Sequence, residues 1–230
     1  MRKLLSLFFS AALVMSLVPA AAFAEIGEQA QAITTADAEQ SGSEIVESGY
    51  WGTCLWELTA DGTVTVHPGT GSNYPWDRQP WRDTNRKGSV KKIIFLGSDS
   101  EKVIARGNSS DAMFDGCTSL TSVDLSGLDV SQATNLRNMF NDCSSLVAVD
   151  LSPLDTSKVD NMCRMFDGCS SLSSVNLSVL DLSKVATTAS MFDGCTSLVE
   201  ADFSGFDISS LTDMGAMFRG CTSLVEVDFS

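Results

Sequence analysis

The sequence predicts an α/β solenoid in which each 26-residue unit adds one short parallel strand and one short helix, behind a β-hairpin cap. Three observations predict it. Met-Phe recurs at Met113-Phe114, Met139-Phe140, Met165-Phe166, Met191-Phe192 and Met217-Phe218, always with Cys three residues after Phe and Leu three after Cys. In "LTSVDLS", Val123 and Leu125 alternate with Ser122, Asp124 and Ser126, which is the period of a strand. From Ser131 onward, Ala133, Leu136, Met139 and Phe140 fall at the spacing of one helix face. One strand plus one helix cannot bury its own apolar stripe, whereas stacked copies can. The unit is therefore of the leucine-rich-repeat type, with four full repeats and a partial fifth over residues 113–230.

The start of the chain is read separately. Arg2 and Lys3 precede an apolar run from Leu4 to Val18, and Ala22-Phe23-Ala24 fits a small-residue cleavage rule. Residues 1–24 are thus expected to be a signal peptide, because the run is shorter than the roughly 20 residues of a membrane span. Residues 25–47 carry acids, no base and no aromatic residue, and are expected to form a flexible linker, with a short helix at Glu25–Ala32 as an option.

Residues 48–112 are expected to form a β-rich cap ending in a degenerate repeat. Leu55–Thr59 and Thr63–His67 alternate around Asp61-Gly62, which signals a hairpin. Val90, Ile93 and Phe95 match the spacing of Leu120, Val123 and Leu125, which makes a zeroth unit 30 residues ahead. Trp76 and Trp81 are the expected anchors of the intervening loop. The chain stops inside a unit at "LVEVDFS", which leads us to expect a longer parent protein with further repeats.

Within each unit, Ser131, Ser157, Ser183 and Ser209 stand where a helix N-cap belongs, and Gly116, Gly168, Gly194 and Gly220 where a helix stops. Stacking brings Cys117, Cys143, Cys169, Cys195 and Cys221 into one column, a structural ladder. Two readings stand: small buried thiols that pack as hydrophobes, or disulfides between neighbouring rungs. A column of five cannot pair completely, and no C-x-x-C pair suggests a metal. Cys163 replaces Arg137, Ala189 and Gly215 of other copies, so it is expected to face solvent.

The units "MFDGCTSLTSVDLSGLDVS" and "MFNDCSSLVAVDLSPLDTSKVDNM", with the leader "GTCLWELTADGTVTV…PWDRQPW", resemble the repeats of bacterial BspA-like leucine-rich-repeat surface proteins over residues 49–230. The resemblance implies a secreted or cell-surface protein, and some members are linked to adhesion and to binding host matrix proteins.

The outward strand positions form the candidate contact face: Ser122, Asp124, Ser126, Asp150, Ser152, Asn176, Ser178, Glu200, Asp202, Ser204, Glu226 and Asp228. Either it is a solvated face that the repeat requires, or it is a surface for a partner. A second acidic column, Asp129, Asp155, Asp181 and Asp207, is expected to accept backbone N–H bonds at turns. The net charge of −14 argues against a nucleic-acid partner, and one histidine, His67, removes schemes built on several. Acids recurring at every rung are a structural pattern, not a catalytic pair. The expectation is therefore a monomeric, non-enzymatic protein without cofactor or metal and with no membrane insertion after signal cleavage. It would bind a protein or glycan ligand at the cell surface. The alternative is a structural spacer or substrate-binding module of a larger surface protein.

Overall fold

The computed structural model describes residues 43–72, 79–83, 85–106, 110–203, 207 and 209–228. The expected signal peptide, the Glu25–Ala32 option, Trp76 and Ser204 lie outside these residues. Strand β1 (Ile45–Trp51) pairs antiparallel with β2 (Cys54–Thr59), and β2 pairs antiparallel with β3 (Thr63–Val66). The predicted hairpin is present, with Gly62 at a φ of 91° and Asp61 Oδ1 accepting from the Thr59 hydroxyl and the Thr63 N–H. It is the inner part of a three-stranded meander. The expected linker ended at Glu47, but β1 already begins at Ile45. Its inward positions do not read as a strand. Glu47 is there because it pairs with Arg86, and Gly49 because a Cβ would lie 3.1 Å from the Trp56 ring.

The meander joins the repeats through β5 (Lys92–Phe95), which runs parallel to β3 on one side and to β7 (Ser122–Asp124) on the other. Ile93 pairs with Val123, 30 positions on, as the degenerate unit predicts. A second parallel ladder joins β4 (Gly69–Thr70), β6 (Val103–Ile104) and β8 (Leu128–Asp129). Here Val103 meets Leu128, 25 positions on, so the path from β5 to β6 is five residues longer than that from β7 to β8. Strands β9 (Glu200–Asp202) and β10 (Glu226–Asp228) pair in parallel as a separate sheet, with Ala201 opposite Val227, and the strand expected in every unit is absent at 148–150 and 174–176. In the row from Val123 to Val227, Val175 and Ala201 are buried, and Val123, Val149 and Val227 pack half-buried against the same core.

The expected helix is absent. Among the described residues helical geometry is confined to a 3-10 turn at Pro80–Arg82 and a single 3-10 position at Ser110. The stretch from Leu136 to Leu146 is a series of tight turns: Met139 N–H to Leu136 O, Cys143 N–H to Phe140 O, and Leu146 N–H to Cys143 O. Turns of three and four residues return an apolar side chain at helix-like intervals, which is why the spacing misleads. Asn138 and Asp142, at φ of 55° and 56°, are left-handed and cannot continue a right-handed helix. The N–H groups at 136, 138, 140 and 142 instead bond the carbonyls of Asn161, Cys163, Met165 and Asp167, each 25 positions on in the next unit.

The glycines expected to end helices serve this geometry. Gly116, Gly168, Gly194 and Gly220 have φ between 72° and 76°, at the second inner position of the turn that starts at Phe. A Cβ at Gly194 would meet nothing nearer than 3.7 Å, so conformation alone sets the cost there. We expect Gly194→Ala to lower stability by about 1–2 kcal/mol, measured by chemical denaturation.

The core is a pile of like residues. Phe114, Phe140, Phe166, Phe192 and Phe218 stack with ring centroids 4.9, 5.3, 5.5 and 5.7 Å apart, the last three pairs within 3° of parallel. Trp81 heads the column, 6.5 Å from Phe114, and donates its Nε1–H to Met113 O at 2.8 Å. The anchor role read for Trp81 is seen here; the stacking of the phenylalanines is not something their recurrence alone shows.

Candidate contact surface

The strand side of the units is open. Ser122, Asp124, Ser126, Asp150, Ser152, Asn176, Ser178 and Glu200 are all exposed. Asp202, Glu226 and Asp228 hold the matching backbone positions in β9 and β10. Beside them stand three valines with roughly half or more of their surface in water: Val147 at 52%, Val199 at 48% and Val225 at 83%.

The acids on this face are partly committed to the fold. Asp124 Oδ1 accepts the Ser126 N–H at 3.0 Å, Asp150 that of Ser152 at 2.9 Å, and Asn176 that of Ser178 at 3.0 Å. The second column repeats the device: Asp129, Asp155, Asp181 and Asp207 accept from Ser131, Ser157, Ser183 and Ser209 at 2.9–3.1 Å. The serines read as N-caps are therefore donors in Asx turns, with no helix to cap. A third column was not read from the sequence: Asn135, Asn161, Thr187 and Asp213 take the N–H two residues on. Its signal was the polar residue lying two before Arg137, Cys163, Ala189 and Gly215.

These bonds favour the charged carboxylates. The Ser152 N–H and then its hydroxyl hold Asp150 below its usual value, and the hydroxyls and then N–H groups of Ser157, Ser183 and Ser209 do the same for Asp155, Asp181 and Asp207. A lowered folded pKa contributes stability above the ordinary value of 3.8 and loses it as pH falls through the folded value.

The cysteine column consists of free thiols, so the disulfide reading is set aside. Each sulfur donates to a carbonyl of the preceding unit: Cys143 to Phe114 O at 3.2 Å, and Cys169, Cys195 and Cys221 to Phe140, Phe166 and Phe192 O at 3.0 Å. The same carbonyls accept the N–H of the cysteine in their own turn, so both lone pairs are used. The site calls for a small apolar residue with a donor, and cysteine is one. Burial pushes the Cys54, Cys117 and Cys195 thiols up to about 12, and those of Cys143 and Cys169 well above the ordinary value.

Cys163 is half-buried rather than fully open to solvent, and Cys221 is comparable. A chromogenic thiol reagent added to the native, reduced protein should therefore label these two first. The other five should react only on unfolding, as counted by mass spectrometry.

Charged residues also stack on the turn side. Asp115 receives Arg82 Nη2 at 2.6 Å and Asn141 Nδ2 at 2.7 Å, and Asp193 receives Arg219. Among the described residues no helix is long and apolar enough to cross a membrane, and no group of three or more His, Cys, Asp or Glu is placed to hold a metal ion.

Parallel strands joined sideways, turns bonded from unit to unit, and columns of Phe, Cys and Asp define a repeat protein with one open strand face. The family model described as "Mycoplasma protein of unknown function, DUF285" matches residues 108–227, more than half of the chain, and the chain belongs to that family. Among solved structures it is similar to a leucine-rich repeat protein of T. pallidum (TpLRR), at 20% identity and a TM-score of 0.41, covering 75% of this chain and 66% of that one. No curated protein matches it.

Proposed function

We propose that this is an exported cell-surface or secreted protein of the BspA-like kind, a leucine-rich-repeat-type solenoid of 26-residue units whose strand face binds a protein or glycan ligand in adhesion. The observation that carries the reading is the open strand face. From Ser122 to Glu200 its outward side chains are exposed on a scaffold held rigid by unit-to-unit bonds and stacked rings. A rigid, extended surface is what repeat proteins present to partners. We propose no catalytic role and no cofactor, and export by the amino-terminal signal of residues 1–24.

The partial use of Asp124, Asp150 and Asn176 in turns favours a second reading, that of a structural spacer. A binding screen of the purified protein against immobilised matrix proteins and glycans, with and without calcium and at several salt concentrations, separates the two. Saturable binding to at least one ligand is expected. Its absence under every condition overturns the adhesion reading and returns the spacer.

A further inference from the structure

We infer that the chain grips a basic segment of a partner protein on the open face of its amino-terminal sheet, with Tyr50 as the anchor and Glu57 as the acceptor. The inference rests on the surface reading above and adds a place and a partner chemistry to it. Strand pairing carries one line of residues across five strands: Ser48 faces Glu57, Glu57 faces Thr65, Thr65 faces Ile94, and Ile94 faces Asp124. Side chains alternate along a strand, so this line lies on the side opposite the buried Trp56, Val64 and Ile93. The neighbouring line holds Tyr50 opposite Leu55, and the His67 N–H bonds Leu55 O at 2.8 Å. Cap and repeats thus share one surface, and its cap end is the less polar: Leu55, Thr65 and Ile94 are half-buried and Tyr50 is 51% exposed. An exposed tyrosine among half-buried aliphatic residues has the make-up of a binding hot spot.

Glu57 supplies the second, independent observation. The residue is 5% exposed, and its Oε2 meets His67 Nε2 at 3.0 Å. Its Oε1 is buried and, among the described residues, has no hydrogen-bond partner. An unmet buried carboxylate oxygen is costly, and a donor brought by a ligand would relieve it. Charge selects the donor. The chain carries −14 overall, and exposed Asp124, Asp150 and Glu200 continue the same strand face. Lys92, beside Thr63 and Ser122, is the cation on the sheet and stands one line away. An arginine side chain fits best, since one N–H can bond the carboxylate oxygen that His67 leaves unmet while the guanidinium plane lies on a tyrosine ring.

The test uses the full chain and immobilised deca-arginine, with deca-glutamate as control, at about 150 mM salt, where distant charges are screened. Deca-arginine should bind and deca-glutamate should not. Glu57→Gln and Tyr50→Ala should each weaken binding by about tenfold or more. Asp207→Asn, which removes one exposed acid from the second column in the fourth unit, should change it by less than about twofold. Tyr50 is exposed, so its variant tests the site even if Glu57→Gln unfolds. Equal losses for Glu57→Gln and Asp207→Asn, or none for Tyr50→Ala, would mean diffuse attraction and overturn the site. A matrix protein that binds the wild type and both cap variants equally sinks this inference and leaves the surface reading standing. A screen without ligands beside the expected deca-arginine pattern does the reverse.

Discussion

Phe166→Ala should cost about 3–5 kcal/mol, the range for removing a fully buried aromatic side chain. Phe166 has no exposed surface and stacks on Phe140 at 5.3 Å and on Phe192 at 5.5 Å, nearly parallel to both. Truncation removes two ring–ring contacts, each of about 0.5–1.5 kcal/mol beyond area burial, and opens a cavity between units. A stack of units is held by nearest-neighbour contacts, so damage in the middle uncouples the two sides. Denaturant unfolding of the wild type should be one transition; that of Phe166→Ala should fall to a lower midpoint and broaden or split. Phe218→Ala is the control, since Phe218 is half-buried and has one stacked neighbour, Phe192. Its cost should be less than half as large. Equal costs at the two positions would mean that the rings do not carry the coupling.

The same column shows where the sequence is legible. The strand side reads only in part. Val123 alternates with Ser122 and Asp124 in β7, and the copies at Glu200–Asp202 and Glu226–Asp228 are strands. The expected strands at 148–150 and 174–176 are absent, because period two fixes which side chains face inward and not a continuous ladder. The turn side does not read, because Leu136, Met139, Phe140, Cys143 and Leu146 keep helix-like intervals while their backbone makes turns. The discriminating signal was weak: Asn138, Arg164 and Ser190 are left-handed at φ near 55° without being glycine. Strand β1 was hidden because Glu47 and Gly49 occupy inward positions for reasons that lie far along the chain, at Arg86 and Trp56. The contact face was legible along the repeats, where one unit predicts the next. Its extension into the cap was not, because the line from Ser48 to Asp124 depends on β3 running parallel to β5, a pairing no local pattern encodes.

Raising the pH above about 9 should unfold the protein steeply, and the thiol column is the cause. Ionised cysteine needs water, and Cys54, Cys117, Cys143, Cys169 and Cys195 have none of their surface exposed. Burial holds the Cys54, Cys117 and Cys195 thiols at about 12 in the folded chain and those of Cys143 and Cys169 well above the ordinary value of 9.0 that applies once unfolded. The unfolded state therefore holds fewer protons on the alkaline side. The stability these groups confer is complete below about pH 9 and drains away as pH climbs toward the folded values. One pKa unit is about 1.4 kcal/mol, so five thiols together remove roughly 5–7 kcal/mol per pH unit once the unfolded thiols are largely ionised. A fold worth about 5–15 kcal/mol would not survive much beyond pH 10–11. Denaturant midpoints taken from pH 7 to 10.5 under reducing conditions should stay level to about pH 8.5 and then drop, with a slope approaching five protons released on unfolding. Cys169→Ala should be less stable at pH 7, because Phe140 O loses the Sγ–H bond, yet its alkaline slope should be shallower by about one proton. A wild-type midpoint that stays flat through pH 10.5 would mean that the sulfur column is open to water and would remove it from the core.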